Sequence, residues 1–414
     1  MANYIDRTFA GGEMSPAVTA RHDIAKQRTG VKTLRNFYVQ RFGGVQNRAG
    51  FQYGGMSGGE DDSVDTVGEF AGQSILIPWV FSSSLTYVLE FGSKTLSHSS
   101  FPSSTVGYVR FWTNGARLST TYSAYNAGTT YSKGQTCVYS GNNYSSLVDS
   151  NLGNTPETVD FSADTYWHLM PSDGTYEIRS PYAYNLLYTD SPNDGLSYAQ
   201  SASVLTLVHP DFPPKDLSRV DTYEWKFDDI SFLGGVFGST DNYPSTVTYS
   251  QQRKVYGNSN NDPENVWMSE VSVFNDFALA SGDSEPVIFT INGRQVNQVK
   301  HVAEVAGKLV VLTEGAEWTV EGNSSNIVTP TAINLRQQGY RGSNNLQPLY
   351  IGNTILYVQA RGSVIRDFNY DFGSDGYKGN DLTLFANHLF DGYTIVDWAY
   401  AQIPHCVVGV VRGD

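Results

Sequence analysis

Residues 308–322 read KLVVLTEGAEWTVEG: an apolar strand, a tight polar turn and a second strand. Thr313–Ala316 has the small and polar residues that are typical of turns, and apolar residues flank it on both sides. The same unit recurs along the chain, so the fold is predicted to be built by repetition. The further copies are residues 85–96, 203–220, 253–270, 353–368 and 405–414. In the first copy, Gly92-Ser93 is expected to end the strand of residues 85–91, and a later strand of residues 108–112 is expected to end in a hairpin turn at Asn114-Gly115.

The spacing of these units indicates the architecture. The first-strand centres Leu205, Val255, Val310, Leu356 and Val408 follow one another at 46 to 55 residues. Periods of about 40–50 residues with several short strands in each unit are typical of β-propellers, whose blades must stack to bury their faces. The alternative is a β-sandwich in which hairpins repeat by chance. The last copy lacks its second strand, which predicts an incomplete blade with its turn at Arg412–Asp414.

The composition supports an all-β fold, and the spacing of the cysteines and histidines points to no active site. The chain has 414 residues, 40% of them hydrophobic and 13% aromatic, and long Leu/Ala/Glu/Lys helical runs are missing. Cys137 and Cys406 fit no metal or redox spacing, so both are expected to be free, buried thiols. The seven histidines are scattered. We therefore predict a protein that is not an enzyme and that uses no cofactor or metal, and no apolar run is long enough for a membrane span.

The first fifty residues are basic in an otherwise acidic chain. Met1–Gly50 holds eight Lys/Arg and three Asp/Glu, a balance of +5, so the rest carries −19 of the net −14. Ser15-Pro16 predicts a helix start, and Ile24, Val31 and Leu34 recur at roughly helical spacing over a helix expected from Ala17 to Lys32. The alternative is a solvated amphipathic arm. The candidate docking residues are Arg21, Lys26, Arg28, Lys32, Arg35 and Arg48.

The same stretch resembles a phage protein family. The order Gly-Gly-Glu-x-Ser-Pro at 11–16, Arg21-x-Asp23-x-x-Lys26, Gly30, Asn36 and Gly-Gly-Val-x-x-Arg-x-Gly at 43–50 is similar to the amino terminus of the tail nozzle proteins (tail tubular protein B, or packaged-DNA stabilisation proteins) of short-tailed phages. Ala49 departs from the proline that is usual there. Further similar blocks are residues 176–181, 198–214, 217–225, 248–257, 263–269, 312–330, 375–377, 381–383 and 388–389.

The resemblance implies a structural virion protein made in the host cytoplasm. Such a protein is a homo-hexameric ring around a DNA channel, bound to a tail adaptor ring, with tail fibres as further partners. It retains genomic double-stranded DNA and opens to let it pass. An acidic wall does not hold phosphates, which suits a sliding duplex; the alternative is that acidity only maintains solubility. The candidate gate loops are Gly54–Asp65 and Leu233–Tyr243. The rival function is a carbohydrate-active or receptor-binding tail protein that recognises a host glycan.

Residues 119–172 differ from their surroundings and are predicted to be an inserted β module. Their order of residues is Tyr125, Tyr131, Gly134, Val138-Tyr139, Gly141, Tyr144, Gly153, Pro156 and Trp167. This order resembles the small chitin-binding type of carbohydrate-binding module, whose exposed rings would stack on sugar faces. The equal alternative is that these rings are the only core that about 50 residues can form. The candidate glycan-binding residues are Tyr125, Tyr131, Tyr139, Tyr144 and Trp167. The predicted domains are therefore a docking arm (1–60), first propeller strands (61–118), the insert (119–172) and blades (173–414).

Overall fold

A computed structural model describes residues 8–51, 53–54, 74–98, 101–156, 166–182, 195–294, 297–373, 375–403 and 406–413. The chain forms two compact units, one of residues 1–52 with 248–414 and one of residues 53–247. The predicted division into an arm, first strands, an insert and blades stays a prediction beside these two units. In the described residues, no helix is long and apolar enough to cross a membrane.

The described residues of the arm, 8–51 and 53–54, form short strands and no α-helix, so the predicted helix over 17–32 is wrong. Its strands are β1 (Gly12–Glu13), β2 (Gly30–Val31), β3 (Phe37–Val39) and β4 (Val45–Asn47). Between β1 and β2 lie two short 3₁₀ helices, Pro16–Val18 and Ala25–Thr29, and the Ser15 side chain caps neither. β1 pairs with β2 in parallel, Gly12 opposite Gly30. A straight 16-residue helix would hold its ends about 24 Å apart and prevent that pairing.

The unit of residues 53–247 begins with a large antiparallel sheet. Its strands run in the order β12-β7-β6-β5, with β8 also on β7. Asn114 and Gly115 both have positive φ in the turn between β7 and β8, which confirms the predicted Asn-Gly hairpin. The strands are β5 (Ser74–Ser82), β6 (Leu85–His98), β7 (Phe101–Thr113), β8 (Ala116–Arg117), the insert strands β9 (Thr136–Tyr139), β10 (Asn142–Ser146) and β11 (Trp167–Leu169), and β12 (Glu177–Ser180).

The hairpin predicted for residues 85–96 is wrong, because the whole segment lies in β6. Gly92 and Ser93 were expected to end a strand, yet Gly92 pairs with both Ser74 and Tyr108. A Cβ on Gly92 would lie 2.3 Å from the Tyr108 hydroxyl. This glycine therefore makes room for a ring on the neighbouring strand and does not turn the chain.

A four-stranded meander completes this unit: β13 (Ser197–Ser201), β14 (Val204–His209), β15 (Phe212–Asp221) and β16 (Glu224–Asp229), paired in sequence order. Its apolar face shares one core with the β5–β8 and β12 sheet. Trp225 is at the centre of that core, with its ring 4.5 Å from Phe111 and 5.0 Å from Trp79 between centroids.

The unit of residues 1–52 and 248–414 contains three more four-stranded antiparallel meanders and a strand pair. The strands are β17 (Thr246–Ser250), β18 (Arg253–Gly257), β19 (Asn265–Met268), β20 (Val287–Thr290), β21 (Val299–Val305), β22 (Lys308–Thr313), β23 (Glu317–Glu321), β24 (Asn334–Gly339), β25 (Leu349–Ile351), β26 (Thr354–Val358), β27 (Ile365–Asp371), β28 (Gly376–Lys378), β29 (Thr394–Ala401) and β30 (Val407–Gly413).

Stacking explains why the centre of β22, residues 309–312, is apolar at every position. Leu309 and Val311 face the core shared with the β17–β20 sheet, whereas Val310 and Leu312 face the core shared with the β25–β28 sheet. Successive side chains of a strand point to opposite faces, so a strand with a sheet on each side needs apolar residues at every position. Sheets built as consecutive four-stranded meanders and stacked face to face are propeller blades, and the predicted all-β fold of propeller type is confirmed.

Two sequence expectations near the carboxyl end are wrong. Residues 407–413 form one strand, β30, which pairs back to β29, so Arg412 and Gly413 lie in a strand and not in a turn. Both cysteines are free, as expected. Cys137 is buried, whereas Cys406, which precedes β30, is exposed. Burial raises the pKa of the Cys137 thiol to about 12, which keeps it protonated and unreactive.

Candidate functional site

The basic arm folds on itself around its glycines and is joined to the rest of its unit by a backbone hydrogen bond. Met14 is buried between Gly11 and Gly30, and a Cβ on Gly30 would lie 2.3 Å from the Met14 sulfur. The Met14 amide donates to the Val31 carbonyl at 3.0 Å, and the Ser15 amide donates to the Phe385 carbonyl at 2.7 Å. The arm is therefore a folded segment held to residues near 385.

Glu13 is the electrostatic centre of this contact. Its Oε2 accepts the Leu34 amide at 2.7 Å, its Oε1 lies 3.3 Å from His388 Nε2, and an Arg35 Nη2 is 3.9 Å away. Burial alone would raise the pKa of Glu13, but those hydrogen bonds and the Arg35 charge outweigh it, so the pKa lies below its usual value. The carboxylate stays ionised and joins the arm to His388.

The structure disperses the six predicted docking residues over the arm surface. Lys26 lies over the Phe385 ring at 5.3 Å from its centroid, and Arg48 lies over the Phe51 ring at 4.1 Å. Arg21 forms two hydrogen bonds to Asp23, at 2.6 and 2.8 Å, and holds the pKa of that carboxyl down to about 2. Arg28 and Lys32 are exposed. Arg35 is also exposed. These side chains lie at the surface, and their docking to a partner stays a prediction.

The structure describes one residue of the first predicted gate loop and the whole of the second. Of Gly54–Asp65, only Gly54 is among the described residues. Leu233–Tyr243 lies in the unit of residues 53–247, where Gly234, Gly235 and Phe237 adopt positive φ and Phe237 is buried against Phe232 at 5.2 Å between ring centroids. That loop is anchored by its own aromatic contact, and a gating role stays a prediction.

The insert aromatics form a core and not an exposed platform. Tyr131, Tyr144 and Trp167 are buried together with Cys137, and Tyr125 packs against them. Trp167 is 4% exposed and Tyr144 is 1% exposed. Tyr139 is the most accessible of the five predicted residues, at 37%. The burial of these rings therefore agrees with the alternative in which they form the core of the small module.

The insert is also fastened to the meander of β13–β16. The Tyr176 hydroxyl donates to the Gly134 carbonyl at 3.0 Å and accepts the Trp225 amide at 2.9 Å. Lys133 donates to the Phe227 carbonyl. Gly134 has φ +84°, and a Cβ there would lie 1.9 Å from the Trp225 carbonyl oxygen, so the close approach requires glycine.

Sequence reasoning missed a buried ion cluster beside the insert. Glu177 is fully buried, with Lys94 Nζ 2.6 Å from Oε1, Arg110 Nε 2.8 Å from Oε2 and His168 Nε2 2.8 Å from Oε1. Burial alone raises the pKa of Glu177, but Lys94, Arg110 and His168 outweigh it and hold the pKa well below its usual value. His168 comes from insert strand β11 and the others from β6, β7 and β12, so no local motif reveals the cluster.

Substituting Gly30 by valine should release the arm. The new side chain would occupy the space of Met14, and such overpacking costs about 1–3 kcal/mol. We expect faster tryptic cleavage at the arm's exposed Lys and Arg residues in timed digestion. Gly50→Ala is the matched control, because nothing lies within 4 Å of a Cβ at that position. Equal cleavage rates for the two variants would contradict the packing described for the arm.

Comparisons with known proteins assign no family. No protein-family model matches the chain, and no curated protein matches it. AztD from Citrobacter koseri is similar in structure at 11% identity and a TM-score of 0.31, with 82% of this chain and 87% of that chain covered. The β-propeller domain of Cps50 (Swd1) from Myceliophteria thermophila is similar at 7% identity and a TM-score of 0.36, with 84% and 95% covered. At these scores neither similarity carries a function, and the fold assignment rests on the sheet topology.

Proposed function

We propose that this chain is a structural subunit of the nozzle of a short phage tail, where six copies form a ring around the DNA channel. The proposal originates in the sequence resemblance. The observation that supports it is a contact in the structure between two blocks of that resemblance that lie far apart in the sequence. Glu13 of the Gly-Gly-Glu-x-Ser-Pro block contacts His388 of the His388-Leu389 block at 3.3 Å.

The shared residues are also those with a packing requirement. Gly11 and Gly30 leave room for each other and for Met14, Gly43 has φ +86°, and Asn36 has φ +60°. Left-handed conformations favour glycine and, among other residues, asparagine. The similar positions lie in one folded element, the arm, and this common location supports the proposal.

Charge supports a ring that passes DNA without gripping it. The residues after Gly50 carry −19 by count, whereas the arm carries +5. Head-to-tail contacts between identical subunits close a ring, and a basic arm on an acidic neighbour suits such a contact. A wall of repeated negative charge gives phosphates no counter-charge, so a duplex can slide. In this arrangement the arm docks on the next subunit or on the adaptor ring.

The direct test is the assembly state of the purified full chain. Native mass spectrometry and negative-stain class averages should show a hexameric ring with an axial hole wide enough for duplex DNA. A monomer that stays monomeric in the presence of its tail partners would overturn the proposal. Release of sugar from host polysaccharide would favour the rival carbohydrate-active function.

Reversing charges on the arm should prevent ring formation or attachment to the adaptor. Arg28→Glu with Lys32→Glu changes two exposed side chains of the arm. We expect the ring fraction to fall about tenfold or more, equivalent to at least ~1.4 kcal/mol of interface energy, because like charges then face each other. Arg294→Glu with Arg361→Glu makes the same charge change outside the arm and serves as the control. Equal assembly of both variants would contradict the role of the arm.

A further inference from the structure

The hairpin of β3 and β4 in the arm leaves apolar side chains open to solvent on one face. In the described part of the chain, β3 and β4 pair with each other and with no further strand. Their register places Val39 opposite Val45, and Phe37 lies two residues before Val39 on the same face. Phe37 is 43% exposed and Val45 is 36% exposed. A two-stranded hairpin is marginally stable in water, so a surface packed on this face would stabilise it.

The turn of this hairpin holds Phe42 in a fixed, exposed position. Phe42 is 94% exposed. The Gly43 amide donates to the Gln40 carbonyl at 2.9 Å, and the Gly43 carbonyl accepts the Phe9 amide at 2.7 Å. Gly43 has φ +86°, and a Cβ there would lie 1.7 Å from the Thr8 hydroxyl oxygen, so the close packing of the turn requires glycine. A ring presented by an ordered turn loses little conformational entropy when a partner buries it.

The segment that contains the hairpin is basic and has no lysine. Residues 33–54 hold Arg35, Arg41 and Arg48 and no Lys, Asp or Glu. Arg41 is exposed in the turn, and Arg48 lies 4.1 Å from the centroid of the Phe51 ring, which is itself 90% exposed. Aromatic residues and arginine are enriched in protein interfaces, whereas lysine is depleted there. This composition favours a protein partner over a lipid surface or a nucleic acid.

Charge complementarity favours a second copy of this chain as that partner. The residues after Gly50 carry −19 by count, so a neighbouring copy offers charge of the opposite sign to the arginines of the hairpin. A head-to-tail contact places a segment of one copy on a different surface of the next. The hairpin of one copy can therefore meet the acidic part of another without meeting its own basic counterpart.

We propose that the β3–β4 hairpin docks on a neighbouring copy of this chain, an inference that rests on the ring proposed above and names the part of the arm that makes its contact. Phe42 is buried in an apolar pocket of the neighbour and is the central anchor. Arg41 and Arg48 pair with carboxylates around that pocket and fix the register of the two copies. The face that carries Phe37 and Val45 adds apolar area to the same contact.

The first test is photo-crosslinking of the full chain with p-benzoylphenylalanine in place of Phe42. Isotope-labelled and unlabelled chains are mixed, and mass spectrometry of the digested product locates the crosslink. We expect a crosslink between a labelled and an unlabelled chain, from the hairpin of one to a residue after Gly50 of the other. A crosslink confined to single chains would overturn the proposal, and so would the absence of any crosslink between copies.

The second test measures self-association by sedimentation over a range of concentrations. Phe42→Ala should weaken association about tenfold or more, because a central aromatic anchor is lost. Phe372→Ala removes a phenylalanine that is 89% exposed in the same unit, and it should leave association unchanged. Both rings are exposed, so neither substitution should disturb folding. Arg41→Gln should also weaken association and should reduce its dependence on salt.

The two tests separate the hairpin contact from the ring itself. Rings that form equally well with wild-type chain and with Phe42→Ala would overturn the hairpin contact and leave the ring proposal standing. Vesicles containing phosphatidylserine and single-stranded DNA are included as alternative partners. Binding of either that Phe42→Ala abolishes, with self-association unchanged, would also contradict a contact between copies. The absence of rings in the presence of the tail partners would overturn the ring proposal as well.

Discussion

Replacing Glu177 by glutamine should destabilise the sheet that contains it by about 3–5 kcal/mol. Glu177 shares its buried cluster with two cations, Lys94 and Arg110, and a second buried carboxylate, Glu90, lies opposite Arg110 on the neighbouring strand. Glutamine keeps the shape of the side chain but leaves one buried cation without compensation. Hydrogen exchange at the amides of β12 (177–180) reports this loss locally, which suits a chain of two compact units better than a single melting temperature.

A second substitution separates charge from packing. Lys94→Met added to Glu177→Gln restores the balance between Glu90 and Arg110, so the double variant should recover much of the lost stability. The control is Asp211→Asn, at an exposed carboxylate of the same unit, with an expected effect below about 0.5 kcal/mol. If the two cluster substitutions simply added their losses, uncompensated charge would not be the cause.

The same carboxylate gives an acid sensitivity with a definite sign. Because the pKa of Glu177 in the folded chain lies well below its usual value of 4.5, the unfolded chain binds the proton more readily. The stability that Glu177 contributes is therefore fully present above about pH 4.5 and is lost as the pH falls below it. In Glu177→Gln this part of the acid sensitivity should disappear from the exchange profile of β12.

The sequence predicted blades where apolar residues alternate with clear turns. The copies at 203–220, 253–270, 308–322 and 353–368 are antiparallel hairpins in the structure, with connections of two to seven residues between their strands. The copy at 85–96 failed because Gly92 looked like a turn residue. A glycine that makes room for a neighbouring ring has the same sequence signature as one that reverses the chain.

The arm and the ion cluster show the limits of local pattern. Ile24, Val31 and Leu34 were too few to define a helix, and the pairing of Gly12 with Gly30 over 18 residues is a non-local contact. Glu177, Arg110 and Lys94 lie on three strands, and His168 on the insert. Only the register of those strands brings the charges together, and one sequence does not encode that register in any short motif.

The insert posed a question that residue types alone left open. The sequence does not distinguish a tyrosine that stacks on a sugar from one that fills a small core, because both roles need a large rigid ring. The structure separates them by exposure, with Trp167 and Tyr144 inside and Tyr139 at the surface. Trp167 also donates through Nε1 to the Asn154 carbonyl at 2.8 Å, which fixes its ring within the module.

Trp167→Ala should therefore unfold the insert locally, with a loss of about 3–5 kcal/mol. The ring packs 5.0 Å from Tyr131 and 5.9 Å from Tyr125 between centroids, and in the described part of the insert these rings form the hydrophobic core. Tyr139→Ala, at the exposed ring, should cost about 1 kcal/mol or less. Hydrogen exchange at β9–β11 in the full chain measures both effects.

Glycan-array binding of the same variants distinguishes the two roles of the rings. If the insert recognises sugar at its surface, Tyr139→Ala abolishes binding while exchange at β9–β11 stays slow. If the rings serve only as a core, the wild-type insert contributes no array signal and Trp167→Ala alone changes exchange. Unchanged exchange in Trp167→Ala would contradict the core assignment, because a buried tryptophan cannot be removed from so small a module without exposing its strands.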